Sequence, residues 1–141
     1  MRLSTRARYG TRALVELALA YPQDIVSVAE IAERQNVSPK YLERIMAELK
    51  ASGIVAAERG AHGGYALARP PESITLSEVL EVLDGSSAPV PCVDDPDLCP
   101  REQTCPVRQT WAEVKRSVEN VLKATTVGDL AERARQGGKA Q

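Results

Sequence analysis

Residues 38–68 read SPKYLERIMAELKASGIVAAERGAHGGYALA, a helix start, a helix and a glycine-centred hairpin in succession. Ser38 has the side chain of an N-cap, and Pro39 falls at the first helical position, where its missing N–H leaves nothing unsatisfied. Leu42, Ile45, Met46 and Leu49 then recur at helical spacing on one face until Gly53 stops the helix. Beyond it, IVAAE and YALA predict two strands around the tip RGAHGG, whose glycines permit positive backbone angles and close approach to a surface. Immediately upstream, Ser27 and Glu30 have capping-box spacing and open VAEIAERQ, joined to the next helix by the turn NVS. Two short helices joined in this way form a helix-turn-helix, and a hairpin after it makes a winged helix.

The flanks extend the pattern. Ser4 caps a first helix running to about Ala20, with Ala13, Leu14, Leu17 and Ala18 as its apolar stripe and Pro22 ending it. Thr75 and Glu78 repeat the capping-box spacing and open LSEVLEVLD, which Gly85 closes. A loop rich in Pro, Asp and Cys follows, and a loop this long inside a compact protein needs something to order it. From Val107 to Ala124, the residues Val107, Trp111, Val114, Val118, Val121 and Thr125 alternate spacings of four and three, which is a coiled-coil seam. The expected fold is mainly α with a small β-hairpin wing. It divides into a winged helix-turn-helix over 1–85, a cysteine-rich loop over 86–106, a dimerisation helix with a C-terminal docking segment over 107–131, and a disordered tail over 132–141.

The 141 residues suffice for one domain with an appendage, and with no Phe and one Trp the core has to be aliphatic. No stretch approaches the roughly 18 apolar residues of a membrane span, and no apolar run follows the N-terminal arginines as in a secretion signal. The expected address is cytoplasmic, where thiols stay reduced. A net charge of -1 conceals an asymmetry: residues 1–69 carry ten basic and seven acidic side chains, residues 70–141 eight and twelve. Arg2, Arg6, Arg8 and Arg12 fall in the first twelve residues with no acid among them, a pattern suited to a polyanion.

For DNA, the recognition helix offers Ser38, Lys40 and Tyr41 at its N-terminal end, where hydroxyls, an ammonium and backbone N–H groups hold phosphates. Glu43 and Arg44 are placed for base edges, a carboxylate accepting from cytosine and Arg reaching guanine, with a surface ion pair as the alternative for Glu43. Arg6 and Arg8 are further phosphate candidates. Arg59, beside a glycine at the wing tip, suits a narrow minor groove, and His62 beside it is a phosphate contact or a solvated side chain. An enzyme is disfavoured: there is one His, no Ser/His/Asp constellation and no glycine loop opening a helix to cradle phosphate.

The stretch PCVDDPDLCPREQTC, residues 91–105, holds every cysteine: Cys92, Cys99 and Cys105, with six and then five residues between them. A tetrahedral metal takes four ligands and a disulfide takes two, so three thiols leave a ligand missing or a thiol free. The spacing matches neither the paired knuckles of zinc sites nor plant-type ferredoxins. On the residues alone a metal or cluster site and a redox thiol site both stand.

The segments MRLSTRARYGTRALVELAL, SPKYLERIMAELKASGIV, RGAHGGYALA, ITLSEVLEVLDG, the three-cysteine loop and VLKATTVGDL together resemble the family of dimeric bacterial winged-helix regulators that includes IscR, NsrR and CymR, over about residues 1–131. The resemblance implies a homodimer joined by its long C-terminal helices and bound to a pseudo-palindromic operator in double-stranded DNA. In the cluster-binding branch it implies an iron–sulfur cluster, 2Fe–2S in preference to 4Fe–4S, on Cys92, Cys99 and Cys105 plus a fourth, variable ligand. The CymR branch binds no cluster and senses a partner protein. This chain departs from the cluster branch at the fourth ligand: Arg108 stands where IscR-like proteins have a His, and Arg8 where NsrR-like proteins have an acid, and a guanidinium cannot ligate. The first cysteine gap is also one residue longer. Asp94, Asp95, Asp97, Glu102 and Glu16 are the oxygen donors to choose from, beside a solvent-derived or small-molecule ligand. The competing expectations are a zinc or redox-thiol regulator of the same fold, and a winged helix that binds protein instead of DNA.

Overall fold

The computed structural model of the chain describes residues 2–101 and 103–139. It is the mainly helical winged helix the sequence predicts, and most boundaries follow from caps. Helix α1 (Thr5–Ala20) starts where the Ser4 hydroxyl accepts the Ala7 N–H at 2.9 Å. Helix α2 (Val28–Gln35) starts with Ser27 accepting from Glu30 N–H at 3.1 Å and ends at Asn36, whose φ of 54° is the left-handed conformation that Asn tolerates. Helix α3 (Pro39–Ala51) is capped by Ser38, which accepts from Tyr41 N–H at 3.1 Å, and the chain leaves it through Gly53 at φ 82°. Strands β1 (Val55–Glu58) and β2 (Gly64–Leu67) pair antiparallel, Val55 opposite Leu67 and Glu58 opposite Gly64. Helix α4 (Leu76–Asp84) is capped by Thr75 and stopped by Gly85.

The core is aliphatic. Leu14, Leu17, Leu42, Ile45, Leu49 and Val79 are essentially fully buried, each contributing roughly 1.5–3 kcal/mol relative to exposure. Three helices meet at Gly10: a Cβ there would lie 2.5 Å from Leu83 Cδ1 of α4 and 3.0 Å from Ile45 Cγ2 of α3. A side chain at this position would have to displace the Leu83 methyl.

Two pairings escaped the sequence pattern. Val26, just before α2, exchanges backbone hydrogen bonds of 2.9 and 2.8 Å with Tyr65, which adds a third strand position to the wing. Gly64 makes this possible, since a Cβ there would collide with the Val26 carbonyl oxygen. Thr75 pairs likewise with Thr126: Leu76 N–H donates to the Thr125 carbonyl at 2.9 Å and Val127 N–H to the Ile74 carbonyl at 2.8 Å.

After α4 the chain passes through a loop with short 3-10 turns at Pro91–Val93 and Pro96–Leu98, then enters α5 (Arg108–Ala124). No residue of α5 is buried. Helix α6 (Val127–Lys139) follows and packs on α1, with Val127 and Ala131 buried in the core. The expectation of a disordered tail from residue 132 is therefore corrected over 132–139, while residues 140 and 141 lie outside the described residues. The reason is local. Asp129 N–H donates to Thr126 Oγ1 at 3.1 Å and Thr126 N–H to Asp129 Oδ2 at 2.9 Å, a reciprocal capping box that nucleates the helix, and Glu132 then pairs with Arg135.

Candidate DNA interface and cysteine loop

Burying Leu42, Ile45, Met46 and Leu49 turns the opposite side of α3 outward, so Lys40, Glu43, Arg44, Ala47 and Lys50 are exposed. Lys40 stands by the helix N-terminus, where unpaired N–H groups favour an anion. Ser38 is exposed with its oxygen engaged as the cap, which leaves its hydroxyl hydrogen to donate. Tyr41 is half-buried, edge-on to Tyr9 of α1 with ring centroids 6.3 Å apart, and Arg12 lies 5.7 Å from the Tyr9 ring centroid. The aromatic pair wedges α3 against α1.

Arg59 and His62 are exposed at the wing tip. Gly60, at φ 112°, and a 3.0 Å bond from Gly63 N–H to the Gly60 carbonyl close the turn between the strands. Arg8 is exposed near the start of α1. Arg6 is half-buried and ion-paired with Glu48 of α3. Glu43 has no described ion-pair partner, unlike Glu48, which the sequence reading passed over.

Cys92, Cys99 and Cys105 are all half-buried free thiols in the loop between α4 and α5. Among the described residues no three His, Cys, Asp or Glu side chains are gathered closely enough to hold a metal ion. The donor set fits an iron–sulfur group in kind, since three thiols within one loop are the ligands such iron takes. Their arrangement leaves the gathering to the loop.

The oxygen donors have separate engagements. Asp94 Oδ1 accepts from Lys115 Nζ of α5 at 2.7 Å, and that bond, with a smaller contribution from the Ser86 hydroxyl, holds the Asp94 carboxyl below its ordinary pKa. The same contact raises the Lys115 ammonium above its usual value. Asp95 accepts from Asp97 N–H at 3.2 Å and caps the second 3-10 turn. Asp97 is exposed. Glu16 is bonded to Arg34 at 2.7 Å and to Gln35 at 3.3 Å, so it ties α1 to α2. Glu102 lies outside the described residues. Arg108 has a task of its own: its Nε donates to the Cys92 carbonyl at 3.3 Å.

Helix α5 thus carries two stripes. Arg108, Lys115, Glu119 and Leu122 are half-buried toward the loop and α4, whereas along the apolar seam Val107, Trp111 and Val121 are 50%, 38% and 65% exposed and Val114, Val118 and Thr125 half-buried. The sequence pattern of the Rrf2 family, described as an iron-dependent transcriptional regulator, matches residues 3–133.

The chain belongs to the Rrf2 family.

Similar proteins agree with that membership. Protein rrf2 of Nitratidesulfovibrio vulgaris is 39% identical over 130 residues, covering 92% of this chain and 87% of that protein. The structure of CymR (YrzC), the global cysteine regulator of B. subtilis, superposes with a TM-score of 0.79 at 34% identity, over 94% of this chain and 98% of that one. T. potens IscR also gives a TM-score of 0.79 at 34% identity, over 97% and 90% of the two chains. An Rrf2 protein is a DNA-binding transcription regulator and not an enzyme, which is the function class the winged helix predicted. Among the described residues no helix is long and apolar enough to cross a membrane.

What the sequence reading of this Rrf2 chain missed are non-local pairs: Arg6 with Glu48, Glu16 with Arg34, and Asp94 with Lys115. Helical spacing within one element carries no trace of them. The Thr126 capping box did have a signal, a Thr followed three residues later by Asp129.

Proposed function

We propose that the chain is a homodimeric operator-binding regulator whose DNA affinity is set by the cysteine loop, with Cys92, Cys99 and Cys105 holding an iron–sulfur cluster. The observation that carries this reading is that all three thiols are free and half-buried in the one loop that joins the winged helix to α5. The cluster would supply a redox- and iron-sensitive thiolate complex whose presence orders the loop. The chain's own part is mechanical: α3 and the wing carry the DNA-facing side chains, and α5 offers its apolar seam to a second copy. On DNA, Ser38, Lys40, Tyr41, Arg6, Arg8 and His62 are assigned to phosphates, Glu43 and Arg44 to base edges, and Arg59 to the minor groove. The reading extends to a cytoplasmic protein on a pseudo-palindromic site.

A redox-thiol regulator without a cluster is the second reading, favoured by the ungathered geometry of the three cysteines. The visible absorption spectrum of anaerobically purified protein, with iron and sulfide assayed on the same sample, separates the two. Charge-transfer bands with stoichiometric iron and sulfide support the cluster. A sample that stays colourless after reconstitution overturns it and leaves the three thiols to zinc or to redox chemistry.

A further inference from the structure

The Cys92 end of the loop is fastened to α5 by side-chain hydrogen bonds at two points. Arg108 holds the Cys92 carbonyl, and Lys115, two turns further along the same face of α5, holds Asp94. The 3-10 turn at Pro91–Val93 fills the space between these fastenings. Among the described residues, Cys99 and Cys105 are held by local turns, through Cys99 N–H to the Pro96 carbonyl at 3.2 Å and Cys105 N–H to the Arg101 carbonyl at 2.8 Å. Beside the Asp94–Lys115 pair lies a cleft of about 440 Å³, reaching from Arg2 and Leu3 to Glu119.

We propose that Lys115 and Arg108 are positioning residues that fix Cys92 against α5 as the stationary thiol, onto which Cys99 and Cys105 close when the loop takes up a thiolate-bound group. The proposal rests on the reading of the loop as a thiolate site and adds how that site is assembled. It assigns a use to the position where relatives resembled by the sequence have a ligating His: Arg108 holds the backbone of a ligand and is not one itself. Asp94 is likewise a tether and not the fourth ligand, since its carboxylate is held by an ammonium on the helix.

The test is titration of reduced, metal-free, full-length protein with Co²⁺ under nitrogen, followed by the thiolate-to-cobalt charge-transfer absorption. Wild type shows the band, Lys115→Met binds about 10-fold more weakly, as outer contacts to a metal ligand commonly require, and Lys115→Arg restores the affinity. Arg108→Gln lowers affinity in the same direction and serves should Lys115→Met disturb α5. Equal affinity in wild type and both variants overturns the positioning role and leaves the thiolate site standing. Tighter binding by Lys115→Met overturns it too, because Asp94 would then be a ligand for which Lys115 competes. Failure of Lys115→Arg to restore binding assigns the loss to packing. Absence of the band in wild type overturns the thiolate reading beneath.

Discussion

Arg6 of α1 is ion-paired with Glu48 of α3, so a side chain from the basic N-terminus is bound to the helix proposed to face DNA. Both partners keep over 40% of their side-chain surface exposed, and an exposed pair contributes roughly 0–1 kcal/mol. DNA phosphate can therefore compete for the guanidinium. Glu48→Gln should release Arg6 to a phosphate and steepen the salt dependence of operator binding by about 1 in the slope of log K against log salt. Fluorescence anisotropy across a salt series measures it, and an unchanged slope would show that the Glu48 pair does not hold Arg6 back from the DNA.

Arg59 at the wing tip has no such competitor among the described residues. Arg59→Ala should weaken specific binding by roughly 1–3 kcal/mol while leaving the thermal unfolding midpoint in place. Operator affinity equal to wild type would remove Arg59 from the interface.

Gly64→Ala probes the wing's attachment. The added methyl meets the Val26 carbonyl oxygen, backbone that cannot swing aside as a side chain does. The Val26–Tyr65 pairing should be lost and the domain destabilised by about 1–3 kcal/mol, read by urea unfolding.

Thr126→Ala should cost roughly 0.5–2 kcal/mol through the lost cap of α6. Because Thr126 and Asp129 act on one another, Asp129→Ala in the same chain should add little further loss. A double mutant whose loss equals the sum of the singles would mean the reciprocal box is not a unit.

The outward seam of α5 gives the sharpest oligomer test. Val121 is 65% exposed, so Val121→Glu should leave the protomer's circular dichroism unchanged while converting a dimer to a monomer in sedimentation equilibrium. A Val121→Glu protein that remains dimeric would move the interface off α5.

How much of this was legible in the sequence follows from how each feature is encoded. Ser4, Ser27, Ser38 and Thr75 each begin a helix, as written, because a cap is a contact between residues three apart. The helix α5 was legible for the same reason, from apolar residues three and four apart. Val26 was not, because a single paired residue has no alternation to detect, and its partner is 39 residues away. The helical stretch past 131 was missed because a polar segment containing Gly137 reads as solvated, although Glu132, Arg133, Ala134, Arg135 and Gln136 favour helix once Thr126 and Asp129 start it. The cysteine spacing named the chemistry of the loop but not its shape, which depends on side chains of α5 reaching back to residues 16 and 21 positions earlier.

In the proposed dimer, the Thr75–Thr126 pairing bears on the spacing of DNA half-sites. It stitches the far end of α5 to the start of α4, and 17 helical residues make a rod of about 25 Å. In a dimer joined through such rods, each reading head is riveted to its own strut and cannot pivot freely about it. The gap between the two heads is then set by the protein as by a fixed gauge. DNA with one base pair added between half-sites, which turns one of them by about a tenth of a helical revolution, has to twist to fit as long as the Thr75–Thr126 bridge holds.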